Sequence, residues 1–113
     1  MSEYKSVDIN QDIKNMAEII SQAVPAEKIY LFGSYAYGTP HKDSDYDFFI
    51  VVPDGVMRPL EVMQKARRAL GNIGRTVAVD VLADYHSRFF DRSQLNTLEK
   101  KIAQEGVILY DRT

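Results

Sequence analysis

LFGSYAYGTPHKDSDYDFFIVV, residues 31–52, joins two apolar runs through a polar loop. The first run stops at Gly33-Ser34, and the second opens behind Asp45 and Asp47. Side chains along a strand alternate faces with a period of two, so these two carboxylates project to the same side. Two like charges so placed either form a charged turn ahead of a strand or sit where cations offset their repulsion. Residues 48–52 are apolar throughout, which predicts a central strand starting near Asp45 and buried on both faces. Pro53-Asp54-Gly55 is the turn that closes it. Before the loop, residues 28–32 predict a short strand stopped by Gly33, and residues 34–37 one helical turn before Gly38.

The flanks supply the elements that cover these strands. Upstream, Ile9, Ile13, Met16, Ile20 and Val24 recur at spacings of three and four, predicting an amphipathic helix over about residues 8–24. Asp8 or Asn10 caps it and Pro25 ends it. Downstream, a second helix over about residues 58–72 has Pro59 in its first turn and Gly71 or Gly74 beyond its end. Its expected inner face is Leu60, Met63, Ala66 and Leu70, with Arg67 and Arg68 on the solvent side. TVAVDVLA, residues 76–83, predicts a third strand, apolar and β-branched except at Asp80. A lone charge inside such a strand is costly. Asp80 is therefore paired with Arg75 or another basic group, protonated, or turned toward a metal or cleft. Residues 84–90 predict a short helix. Residues 93–105 predict a longer one with Leu95, Leu98 and Ile102 inward and Gly106 as its stop. Residues 107–110 predict an edge strand.

A chain of 113 residues fits one domain, residues 1–113, and no repeat or linker divides it. Its 45% hydrophobic and 27% charged residues match an ordinary soluble globular protein. No run approaches the roughly 18 apolar residues of a membrane span, and MSEYKSVDIN lacks a signal-peptide pattern, so the expected location is the cytoplasm. The absence of cysteine excludes disulfides and zinc–thiolate centres. Fourteen basic against sixteen acidic residues give no overall attraction to nucleic acid, so a long duplex is not the expected ligand. A small anion carried by metal ions is compatible with that balance. His41 and His86 lack zinc-ligand spacing and read as surface residues. Tyr35 and Tyr37 flank the loop as core residues or as contacts to a base or ribose.

The unusual residues suggest one chemistry. Gly33 lets a backbone approach a ligand closely, the amides of the turn after it can face phosphate oxygens, and Ser34 adds a hydroxyl. Asp45 and Asp47 can share Mg²⁺ ions, which take oxygen ligands and bind substrate phosphates. Two ions about 4 Å apart can hold the attacking and leaving oxygens of an in-line displacement at phosphorus. Asp80 would complete the site, binding the ion beside the attacking hydroxyl and helping to remove its proton.

Gly33-Ser34, ten intervening residues, Asp45-x-Asp47, an apolar strand, and Asp80 within VAVDVL resemble the minimal nucleotidyltransferase group of the polymerase β superfamily. Gly38 in YGTP, Ser44 in DSDYD and the closing EGVILYD fit as well, so the resemblance covers nearly the whole chain. It implies an α/β fold: a single polymerase β-like nucleotidyltransferase domain with a mixed, twisted sheet, helices mostly on one face and the carboxylates on the other. The implied activity is transfer of a nucleoside monophosphate from ATP or another nucleoside triphosphate to an acceptor hydroxyl, releasing pyrophosphate. Asp45 and Asp47 would bind both Mg²⁺ ions, Asp80 would bind one and promote attack, and Gly33 and Ser34 would hold the triphosphate. The position after the Gly-Ser pair, often basic in that group, is Tyr35 here.

Group members of this size resemble antitoxins encoded beside HEPN-domain toxins, which implies AMP transfer to a toxin tyrosine. The expected partners are a HEPN toxin and a nucleoside triphosphate, in a homo- or hetero-oligomer, because the short chain leaves no residues for an acceptor domain. Two alternatives stay open. One is an antitoxin that neutralises its partner by covering it, without catalysis; the other is a homodimer that transfers nucleotide to a small molecule.

Overall fold

The two strands expected on either side of the polar loop pair with each other. In the computed structural model, which describes residues 10–71 and 77–113, β1 (Lys28–Phe32) and β2 (Tyr46–Val52) run antiparallel, with Leu31 opposite Phe48 and Phe32 opposite Asp47. β3 (Val79–Tyr85) lies parallel to β2 on one side, and β4 (Val107–Asp111) lies antiparallel to β1 on the other. The order is β3-β2-β1-β4, so the sheet is mixed and β4 is the edge strand its position at the chain's end suggests. A parallel neighbour cannot be reached through a tight turn. α2 (Pro59–Leu70) makes the crossover. β2 is internal, as its unbroken apolar run predicts: Phe48, Ile50 and Val52 are buried on one face, and Phe49 and Val51 on the other.

The two faces are covered by different helix pairs. α1 (Gln11–Ala23) buries Ile13, Met16 and Ile20, and α2 buries Val62, Ala66 and Leu70. Both pack over Ile29, Leu31, Phe48, Ile50, Val52 and Val81. On the opposite face α3 (His86–Ser93) and α4 (Leu98–Glu105) bring Phe89 and Ile102 against Tyr30, Phe32, Phe49 and Val51. The Tyr30 and Phe89 rings stack at 5.5 Å. The helices are therefore divided two and two, not mostly on one face as the resemblance implies, because β1 and β2 carry apolar side chains on both faces and both need cover. The shorter pair, α3 and α4, covers only part of its face, which leaves Asp80 exposed and Asp47 half-buried.

Local boundaries shift some expectations. Asn10 caps α1, its side-chain oxygen accepting from the Ile13 amide at 2.9 Å; Asp8 and Ile9 lie outside the described residues, as do Asn72, Gly74, Arg75 and Thr76. The inner row of α2 is Val62, Ala66 and Leu70 at i, i+4, i+8, and Leu60, expected inside, is 61% exposed. Two residues correspond to about 200° around a helix, so a row through Val62 turns Leu60 outward. Residues 93–105 do not form one helix. Thr97 starts α4 afresh: its hydroxyl accepts from the Lys100 amide at 3.3 Å and donates to the Arg92 carbonyl at 2.6 Å. The break leaves Leu95 and Leu98 exposed, while Ile102 is buried as expected. β3 continues through Tyr85, taking Asp84 into the strand and delaying α3 to His86.

Candidate active site

Parallel pairing of β2 and β3 sets Asp47 directly opposite Asp80. Both side chains therefore face the side of the sheet that carries Phe49 and Leu82. Adjacent strands are only about 4.8 Å apart, so the two charges are neighbours. Asp45, exposed just ahead of β2, adds a third. Burial is the main cause that lifts the Asp47 carboxyl from its ordinary 3.8 to about 6, and the negative charges of Asp80 and then Asp45 add to it.

The turn after β1 is built around the same carboxylate. Gly33 has φ +78°, in the left-handed region that glycine enters without strain. A side chain on Gly33 would overlap Asp47 Oδ2, so the missing Cβ is the space in which the carboxylate lies. The Gly33 carbonyl accepts from the amides of Ala36 and Tyr37, each at 3.0 Å, which forms the helical turn expected at residues 34–37. The first amides of such a turn have no partner within it and can meet a phosphate oxygen. Ser34 Oγ donates to Ser44 Oγ at 2.8 Å, and Ser44 Oγ accepts from the His41 amide at 2.8 Å. Ser44 is buried. It ties the Gly33-Ser34 turn to the loop that delivers Asp45, a positioning role visible in sequence only as a serine in DSDYD.

The expected site residues divide as follows. Gly33, Ser34, Asp47 and Asp80 come together where β1 ends and β2 and β3 begin, with Asp45 on the adjoining loop. Among the described residues, no three acidic or histidine side chains are arranged so that together they could hold a metal ion. Asp80 leans instead toward Arg67, with Oδ1 3.6 Å from Nη2. The donor set still suits a hard divalent cation. All three side chains offer only oxygen, their mutual repulsion favours a positive charge, and Mg²⁺ commonly takes one or two carboxylates and keeps its waters.

Arg67, expected on the solvent side, reaches the β3 edge and donates to the Val81 carbonyl at 3.1 Å. The basic partner considered for Asp80 is thus Arg67; Arg75 lies outside the described residues. The available signal was its place in the last turn of a crossover helix, which packs on the strand that follows. Tyr35 meets Tyr46 edge-on at 4.8 Å, and both Tyr35 and Tyr37 pack against the core. His41 is exposed, as expected. His86, also exposed, pairs with Glu27 at 2.6 Å beyond the opposite end of β1.

Several known proteins share this architecture. No curated protein sequence matches the chain. Among solved structures, a toxin–antitoxin complex with AMP-PNP is 24% identical with a TM-score of 0.56, over 88% of this chain and 74% of that one. A mutant MntA–HpeT toxin–antitoxin complex is 25% identical with a TM-score of 0.58, at the same coverages of 88% and 74%. A Sulfolobus solfataricus protein is 21% identical with a TM-score of 0.58, over 88% of this chain and 77% of its own. The family model for the nucleotidyltransferase domain matches residues 13–110. That match begins in α1, runs through the glycine turn and all four strands, and stops within β4, so the chain belongs to the nucleotidyltransferase-domain family.

Proposed function

We propose that this nucleotidyltransferase transfers AMP from ATP to an acceptor hydroxyl with the help of Mg²⁺. We further propose that the acceptor is a tyrosine of a HEPN-domain toxin, which it neutralises as the antitoxin. The carrying observation is the register of Asp47 opposite Asp80, with the Asp47 carboxylate seated in the space that Gly33 leaves open. That arrangement sets oxygen donors beside a turn suited to phosphate.

Each residue then has a role. The Ser34 hydroxyl and the first amides of its turn bind the triphosphate. Asp45 and Asp47 would hold two Mg²⁺ ions, and Asp80 would hold one of them. When bound, such ions neutralise phosphate charge and lower the pKa of a coordinated hydroxyl. Asp80, exposed at the edge strand, is the carboxylate an acceptor on another protein can reach, and it assists removal of the hydroxyl proton. Arg67 orients Asp80 from the outer edge of the sheet. Residues 1–113 act as one such domain. The toxin–antitoxin neighbours support a toxin partner. Among the described residues no helix is long and apolar enough to cross a membrane, and a cytoplasmic location accords with that.

Incubation with ATP labelled at the α-phosphate, Mg²⁺ and a HEPN partner should place the label on a partner tyrosine. Asp45→Asn with Asp47→Asn should abolish the transfer. Neutralisation of the toxin by that double variant would identify an antitoxin that works by covering its partner. Labelling of a small molecule with no protein acceptor would point to the homodimeric alternative.

A further inference from the structure

The turn that faces the triphosphate carries no charge of its own: residues 33–39 are Gly, Ser, Tyr, Ala, Tyr, Gly and Thr. Three carboxylates stand beside it. Metal ions can offset those carboxylates and the inner phosphates, but a triphosphate also presents its outer end to the turn. The nearby cations differ in what already holds them. Arg67 is committed to Asp80 and the Val81 carbonyl. Lys42 lines a hollow with Asp43 and Asp45, two carboxylates that already face its charge. Lys101 stands against the turn itself, its Nζ 4.6 Å from the centre of the Tyr37 ring.

Tyr37 is part of the glycine turn through its amide, which donates to the Gly33 carbonyl at 3.0 Å. Burial, and then the negative charges of Glu105 and Asp47, raise the pKa of the Tyr37 hydroxyl, so the ring stands between the α4 side chains and the carboxylates of the site. Lys101 comes from α4, far along the chain, and is exposed. Among the described residues it joins no ion pair, even with Glu105 one turn later. An ammonium held over a ring face keeps the N–H donors on its far side free for an anion. Its long stem is already partly ordered, which lowers the entropy lost when an anion binds.

We propose that Lys101, seated on the Tyr37 ring, binds the β- and γ-phosphates of the nucleoside triphosphate and supplies the positive charge that the glycine turn lacks. This rests on the nucleotide reading above and deepens it: it assigns one side of the triphosphate to α4. It also makes the site selective for triphosphates over monophosphates, because AMP has no group that reaches Lys101.

The test is equilibrium binding of Mg²⁺ with ATP, with inorganic tripolyphosphate and with AMP to the wild type, Lys101→Met and Lys101→Arg. A lost charge-assisted phosphate contact should weaken ATP and tripolyphosphate about tenfold to hundredfold in Lys101→Met. AMP affinity should change less than about twofold, and Lys101→Arg should stay near the wild type. Unchanged ATP affinity in Lys101→Met overturns the assignment. An equal loss for ATP and AMP also overturns it, since Lys101 would then only support the shape of the turn. If the wild type binds neither ATP nor tripolyphosphate, the nucleotide reading itself fails and this inference with it.

Discussion

Replacing Asp47 by Asn should stabilise the metal-free protein while removing its function. The carboxyl is lifted from 3.8 to about 6, chiefly by burial and then by the charges of Asp80 and Asp45. Below about pH 4 both the folded and the unfolded chain hold the proton, and the group costs nothing. Between about pH 4 and 6 the folded protein keeps a proton that the unfolded chain gives up, so stability falls as pH rises through that window. Above pH 6 the penalty is complete. At about 1.4 kcal/mol per pH unit the full displacement corresponds to at most about 3 kcal/mol. Water reaches this half-buried group, and screening reduces the figure to roughly 1–2 kcal/mol. Asn keeps the shape beside Gly33 but never ionises, so Asp47→Asn should exceed the wild type by that amount at pH 8 in a chelating buffer. At pH 4 the two should agree within about 0.5 kcal/mol. Urea denaturation at both pH values measures the difference. Mg²⁺ added at pH 8 should recover much of the deficit in the wild type and little in the variant, because the ionised carboxylate is what a cation binds. Equal stability of the two proteins at pH 8 without metal would refute the argument that Asp47 is held ionised against its surroundings.

Gly33→Ala combines a left-handed backbone with a Cβ that meets Asp47 Oδ2, so it should cost about 2–4 kcal/mol in denaturation and abolish transfer. The cost should shrink by about 1 kcal/mol or more in an Asp47→Ala background, and strict additivity of the two changes would show that the contact is not the cause. Arg67→Ala removes a pair in which both partners are about half exposed, so stability should change by less than about 1 kcal/mol. It should nonetheless lower the Mg²⁺ concentration needed for half-maximal ATP binding by something on the order of fivefold, since a cation beside Asp80 is gone; a higher requirement would contradict that reading of the pair.

The parts of this molecule legible in its sequence are those fixed by neighbours along the chain. β1 and its stop at Gly33 follow from an apolar run ending in glycine, and the internal position of β2 follows from residues that are apolar on both faces. The misplaced residues depend on where a helix starts or on what lies across from it. Phasing the row from the first turn of α2 puts Leu60 inward, whereas burial is set by the Val62, Ala66 and Leu70 row that meets the sheet. The hydrophobic spacing puts Leu95 and Leu98 inward because it runs on through a break that Thr97 imposes. Arg67 is exposed, as its place on the solvent side of α2 predicts, but its contact with Asp80 and the Val81 carbonyl is not legible, because nothing local shows that α2 lies beside the β3 edge.

The relation between Asp47 and Asp80 lies between these cases. Each carboxylate was conspicuous alone, but their opposition is a matter of register across a crossover more than thirty residues apart in the chain. Register here is fixed by burial, since a one-residue slip of β3 against β2 would turn Val81 outward and put Asp80 against α2. Val81 is fully buried. The hydrophobic pattern of β3 thus does two things with one constraint: it completes the core on the α1–α2 face and, by the same alternation, brings Asp80 level with Asp47 on the other. The candidate site lies where α3 and α4 leave the sheet uncovered, so the charges that β2 could not tolerate at Phe49 or Val51 are carried at its entrance, with Gly33 providing the room and the cost of ionising Asp47 there open to relief by a proton or a cation.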